Sequence, residues 1–189
     1  MRIIAGIAKG MTLVAPRGDA RPTSDRVREA IFSSLGERVV GATVLDLFAG
    51  SGALGLEAAS RGASTVTFVE NARASLDALE KNVSMFRRGR EVTCEFRVLH
   101  ADAFRLPVLG GTFSLIFADP PYGDAAQKLL ALPLPLASDG VFALESAKRN
   151  VLTPGEAWSV KREAVYGDTR VSFLARTGSS MPTDQAPGC

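Results

Sequence analysis

Between residues 43 and 146 the sequence alternates between short apolar runs and segments of helical period, and this alternation constrains the fold more than any other feature. Val44-Leu45-Asp46-Leu47-Phe48 is a buried-strand pattern, broken by Gly50-Ser51-Gly52 and followed by a helix over 53–61. A short β-branched run at 65–69 gives a second strand. Leu76, Leu79, Val83 and Phe86 then recur at spacings of three and four, which is one face of a helix. Residues 92–99 and 114–118 make a third and a fourth strand. A helix over 127–132 is stopped by Pro133 and Pro135, and 141–144 makes a fifth strand. Strands separated by helices form βαβ units, so the expected class is α/β, with a doubly wound, mainly parallel sheet.

The flanks depart from this pattern. Residues 2–5 and 11–14 can pair as a small hairpin about Lys9-Gly10, and Pro22-Thr23-Ser24-Asp25 carries helix-start chemistry. Val27, Ala30, Ile31, Ser34 and Leu35 then form one burying stripe, which leaves Arg26, Arg28 and Glu29 facing water or a ligand. Toward the other end, 158–165 and 170–174 flank Tyr166-Gly167-Asp168-Thr169 as an antiparallel hairpin. From Thr177 on, Ser, Pro, Gly and Gln dominate, and disorder is expected over 177–189. The expected organisation is a hairpin-and-helix extension over 1–40, a sheet domain over 41–176 and this tail. A chain of 189 residues buries enough surface for such a core without disulfides or structural metal.

Net charge is only +2, but residues 1–40 carry seven basic against four acidic side chains, while the rest is slightly acidic. A basic head on a nearly neutral body fits an anionic partner such as nucleic acid. No apolar run approaches the roughly 20 residues of a membrane helix, and no signal-peptide core follows Met1. Cys94, Cys189 and His100 make neither a metal cluster nor a disulfide framework, so a reduced, cytoplasmic, metal-free protein is expected.

Gly50-Ser51-Gly52-Ala53-Leu54-Gly55 matches G-x-G-x-x-G after a strand and before a helix, and Glu70 lies twenty residues on at the end of the next strand. Glycines there admit a ligand backbone, and the acid accepts from ribose hydroxyls. Asp46 opposes a dinucleotide: it lies four residues before Gly50, where a carboxylate repels a pyrophosphate but pairs with an ammonium or sulfonium. Asp102 and Asp119 add acids at two further strand ends. Ligands of open α/β sheets bind outside the carboxyl ends of the strands, and four carboxylates there suit S-adenosylmethionine, which is cationic and carries no phosphate. Taken singly, Asp102 also serves as a helix cap and Glu70 as a solvated strand end; their joint placement carries the reading.

Asp119-Pro120-Pro121-Tyr122 follows the apolar run Leu115-Ile116-Phe117-Ala118. Two prolines fix φ and remove two backbone donors, so the chain leaves the strand rigidly and exposes unclaimed carbonyls. An exocyclic amine on a base is a poor nucleophile, because its lone pair is delocalised into the ring. The Asp119 carboxylate and Pro120 carbonyl can accept both amine hydrogens and aim the lone pair at a methyl group. Pro121 lines that site, and Tyr122 can stack on the base, a contact worth roughly 1–3 kcal/mol.

These residues resemble the class I S-adenosylmethionine-dependent methyltransferases, and the tetrapeptide resembles their amino-methylating branch. Arg2-Ile3-Ile4-Ala5-Gly6, the run from Arg21 to Glu29, Asp46-Leu47-Phe48-Ala49-Gly50-Ser51-Gly52 and Tyr166-Gly167-Asp168-Thr169 are similar to the RsmD-type bacterial methyltransferases. The resemblance covers roughly residues 1–176. It implies a Rossmann-like methyltransferase sheet with a C-terminal antiparallel hairpin and a small N-terminal hairpin and helix. It also implies methylation of the N2 amine of one guanine in small-subunit (16S) ribosomal RNA, naked or in a partly or fully assembled subunit, by a monomer. Cofactor contacts are implied at Asp46, Gly50, Gly52, Glu70 and Asp102, and target-base contacts at Asp119, Pro120, Pro121 and Tyr122. Arg2, Lys9, Arg21, Arg26 and Arg28 are the candidate phosphate contacts. Three alternatives remain open: methylation of adenine N6 in DNA, against which the short chain argues; NAD-dependent hydride transfer, against which Asp46 argues; and a non-catalytic RNA-binding module, against which the intact tetrapeptide and glycine turn argue.

Overall fold

β-branched and aromatic residues in short runs make the sheet. In a computed structural model that describes residues 1–16, 24–88, 91–121 and 123–179, seven strands form one sheet. They are β1 (Thr43–Leu47), β2 (Thr65–Glu70), β3 (Glu95–His100), β4 (Phe113–Ala118), β5 (Leu136–Ala147), β6 (Trp158–Tyr166) and β7 (Thr169–Arg176). The spatial order is β3-β2-β1-β4-β5-β7-β6. The first five are parallel, and β7 runs antiparallel to both β5 and β6. This is the expected doubly wound sheet with its terminal hairpin. The fifth strand is much longer than the apolar core at 141–144 indicates: it starts at Leu136, opposite Phe113, and reaches Ala147 through polar residues that pair with β7.

The helices are α1 (Asp25–Leu35), α2 (Ala53–Ser60), α3 (Arg73–Arg87) and α4 (Ala125–Leu130). Ser24 caps α1 by accepting from the Val27 N–H, as its position predicts. The buried face of α1 differs from the expected stripe, because Phe32 turns inward and packs at a tilt, 5.6 Å between ring centroids, against Phe117 of β4. The stripe is therefore Val27, Arg28, Ile31, Phe32 and Leu35, and it carries Arg28 into the interior. One core layer joins α1, α2, α3 and the N-terminal residues Ile3, Ala8, Met11 and Leu13 to one sheet face; α4 and Trp158 cover the other.

The expected N-terminal hairpin forms as one bridge, Arg2 to Thr12, with Ile3 N–H donating to the Met11 carbonyl at 3.0 Å. It is held down by α2. Glu57, fully buried, accepts from the Ile4 and Ala5 N–H groups at 2.7 and 3.0 Å and from Arg61 Nε at 2.7 Å. Gly6 has φ +80°, and a Cβ there would run into the Ser60 backbone. Thr177, placed in the expected tail, is anchored by its N–H to the Ala157 carbonyl; residues 180–189 lie outside the described residues. No helix among the described residues is long and apolar enough to cross a membrane.

Candidate active site

β1, β4 and β5 end side by side, with Leu47 opposite Ala118 and Ala118 opposite Leu144. The winding of the chain reverses between β1 and β4, which opens the crevice where such sheets bind ligands. A cavity of about 760 Å³ lies there. Leu45, Leu47, Ile116, Ala118, Phe142 and Leu144 pack on the α4 side. Side chains alternate along a strand, so Asp46, Asp119 and Glu145 share the opposite face, toward α1 and α2.

One wall is the glycine turn. Gly52 caps α2 with φ +80°, a conformation open to glycine, and so shapes the turn without itself lining the cavity. Gly50 N–H donates to Glu70 Oε2 at 2.8 Å, and Gly55 N–H to Asp46 Oδ2 at 2.9 Å. Glu70 Oε1 also accepts from the Asn71 and Ala72 N–H groups, at 2.8 and 2.7 Å, at the start of α3. The donors that a pyrophosphate needs at such a turn are thus claimed by two carboxylates. This disfavours a dinucleotide on geometric grounds. Burial pushes the Asp46 carboxyl up to about 8; Glu70 and Asp119 add to the rise, and the Gly55 hydrogen bond opposes it.

Phe48, which the sequence did not single out, lines this wall at φ +57°, the one non-glycine residue with positive φ among those described. Its ring meets Phe104 edge-on at 5.4 Å, and such strain persists where the surroundings hold it. Buried Asn82 ties the wall to the N-terminal segment: its Nδ2 donates to the Ser51 and Val14 carbonyls and its Oδ1 accepts from Val14 N–H. Asp102 is not brought in. It turns the chain after β3 by accepting from Phe104 N–H at 2.9 Å, where no helix follows for it to cap, and it is not among the lining residues.

The opposite wall begins with Asp119, Pro120 and Pro121, which run from the end of β4 along the cavity. Tyr122 lies outside the described residues. Asn150 Nδ2 donates to the Gly123 carbonyl at 2.6 Å and braces the loop beyond the diproline. Glu145, Ser146 and the hairpin residues Tyr166 to Thr169 complete this wall, and none of them was picked out as a contact residue. The only signal for them was the Tyr166-Gly167-Asp168-Thr169 turn.

The basic head divides. Arg2, Lys9 and Arg26 are exposed, and Arg26 reaches the cavity rim beside Ser24 and Val27. Arg21 lies outside the described residues. Arg28 does not face water or a ligand: it is fully buried, and Nη2 donates to the Arg2 carbonyl and to Asp25 Oδ1, both at 2.7 Å. The inward turn of Phe32 sets this, since the two residues lie four apart on one helix face.

A family model described as "Conserved hypothetical protein 95" matches residues 1–175. Ribosomal RNA small subunit methyltransferase D of Escherichia coli is 38% identical over 183 residues, which is 93% of this chain and 90% of that protein. The chain belongs to the RsmD family. The Escherichia coli yhhF structure superposes with a TM-score of 0.78 at 36% identity, covering 93% of this chain and 97% of that one. RsmC of Thermus thermophilus, a 16S rRNA N2 methyltransferase solved with AdoMet and guanosine, superposes at 0.65 and 28% identity over 85% of this chain and 44% of its own. The likeness to RsmD relatives thus runs along nearly the whole chain.

Proposed function

We propose that this RsmD-family protein transfers a methyl group from S-adenosylmethionine to the exocyclic N2 amine of a guanine in small-subunit (16S) ribosomal RNA. The observation that carries the reading is that Asp119-Pro120-Pro121 and the Asp46/Glu70 glycine turn face one cavity. The RsmC likeness, whose bound molecules are AdoMet and guanosine, supports the same pairing of ligands.

The residues fit the cofactor. The wall offers carboxylates where a phosphate would need donors, and a buried Asp46 poised to ionise opposite a cation. S-adenosylmethionine, when bound, supplies a methyl group on a sulfonium. Asp46 balances the positive end, Glu70 accepts from ribose hydroxyls through lone pairs beyond its backbone bonds, Gly50 lets the backbone come close, and Gly52 holds the turn that places it.

On the other wall, the Asp119 carboxylate and Pro120 carbonyl accept the two amine hydrogens, which draws the nitrogen lone pair out of the ring and toward the methyl carbon. The gain comes from alignment and from stabilising the charge that develops on nitrogen. As the N–C bond forms, the electron pair of the breaking C–S bond stays on sulfur, and the alkylated nitrogen gives up one proton to Asp119 or water. The base must leave its stack to reach this point, which costs least in unpaired RNA. Arg2, Lys9, Arg21 and Arg26 hold phosphates in a sequence-independent, salt-sensitive way.

The test is incubation with radiolabelled methyl donor and undermethylated small subunits, followed by nucleoside analysis. N2-methylguanosine is expected. N6-methyladenosine, or no labelled nucleoside, overturns the proposal.

A further inference from the structure

Asp119 alone does not distinguish guanine from another base that carries an amine, so the selectivity must come from elsewhere in the cavity. The end of β5 lies beside it: Ala118 pairs with Leu144, and Asp119 and Glu145 are the next residues of adjacent strands, on the same sheet face. Glu145 is 3% exposed and lines the cavity, opposite Val171 of β7. Tyr166, packed at the edge of the core, closes this end with an aromatic ring.

We propose that Glu145 reads the Watson–Crick edge of the target base and makes the enzyme selective for guanine. This rests on the N2-methylation reading. Next to its N2 amine, guanine presents an N1–H donor and then an O6 acceptor. A carboxylate beside Asp119 accepts from N1–H. A base with an unprotonated N1 turns a lone pair toward the carboxylate, and the contact becomes repulsive. Adenine and 2,6-diaminopurine both do so, although diaminopurine keeps the 2-amine. Discrimination of this kind is large because the wrong base sets a lone pair against a carboxylate where guanine makes a hydrogen bond.

The experiment compares small subunits reconstituted with guanine or with 2,6-diaminopurine at the position that the wild-type enzyme methylates. The wild-type enzyme is expected to prefer guanine by at least about 100-fold in kcat/KM. In Glu145→Gln the amide can donate to N1 and accept from the amine, so the preference should shrink to about tenfold or less, with cofactor affinity within twofold. A merely structural Glu145 would lower both rates together and leave the ratio unchanged. An unchanged ratio overturns the assignment while leaving N2 methylation standing. Absence of N2-methylguanosine from the wild-type reaction removes both.

Discussion

One wall of the cavity is contiguous: residues 44–70 supply Asp46, the glycine turn and Glu70, and their acceptors are met by backbone N–H groups within the same stretch or just beyond it. The facing wall is gathered from the ends of β4 and β5, the β6–β7 hairpin and the start of α1, which lie up to about 140 residues apart in sequence. The first wall is fixed by short loops and so has a geometry that a motif can encode. The second depends on which strands become neighbours. A ligand recognised by the first wall can therefore be common to many chemistries, whereas the choice of target belongs to the second.

The largest expected effect tests this division. Asp119→Ala should lower methyl transfer by about 10²–10³-fold, the magnitude for losing one charge-stabilising group, with donor affinity within a few-fold. Single-turnover rates and calorimetry separate the two. Comparable losses of rate and affinity would mean that the walls are not independent. Next, Glu70→Ala should weaken donor binding by about 1.5–3 kcal/mol, the range for hydrogen bonds to a charged group, and free the Gly50 N–H as well. An unchanged dissociation constant would remove Glu70 from the cofactor wall.

Acidity gives a smaller, graded test. Asp46 titrates near pH 8 in the free protein, so below that pH a cationic donor must expel its proton. Donor affinity should therefore rise with pH, by up to tenfold per unit, and level off above about 8. Asp46→Asn should abolish the slope. Asp119→Ala should move its midpoint downward, because it removes one of the negative charges that raise Asp46. The smallest effect concerns the rim. Arg26→Glu should lower the salt dependence of RNA binding by about one unit in log–log slope, with little change in stability. Arg28→Glu, which strands a charge in the interior beside the Arg2 carbonyl, should instead lower the melting temperature. Equal effects on RNA binding from folded forms of both would return Arg28 to the contact surface.

Much of the architecture was legible because it is written in local patterns. The strand at 43–47, the turn at 50–52 and the capped start of α1 follow from β-branched runs, glycine and a serine cap. Arg28 was misread because its burial depends on Phe32 finding Phe117 of β4, eighty-five residues on. Glu57 and Asn82 were missed for the same reason. In sequence each is an ordinary polar helix residue, yet each bonds main-chain groups of the N-terminal segment, more than fifty residues away. Asp102 shows the converse, since an acid after a strand can cap a turn as readily as it can meet a ligand.

Sequence by itself settled the βαβ rhythm, the phosphate-averse turn and the rigid exit from β4, because each depends on the torsional limits and hydrogen-bonding needs of neighbouring residues. Only the tertiary structure set Glu145 beside Asp119, turned Arg28 inward and bound residues 4–8 to α2 and Val14 to α3. Those outcomes follow from strand order and from which faces pack, and burial gains of that kind exist only once distant segments meet.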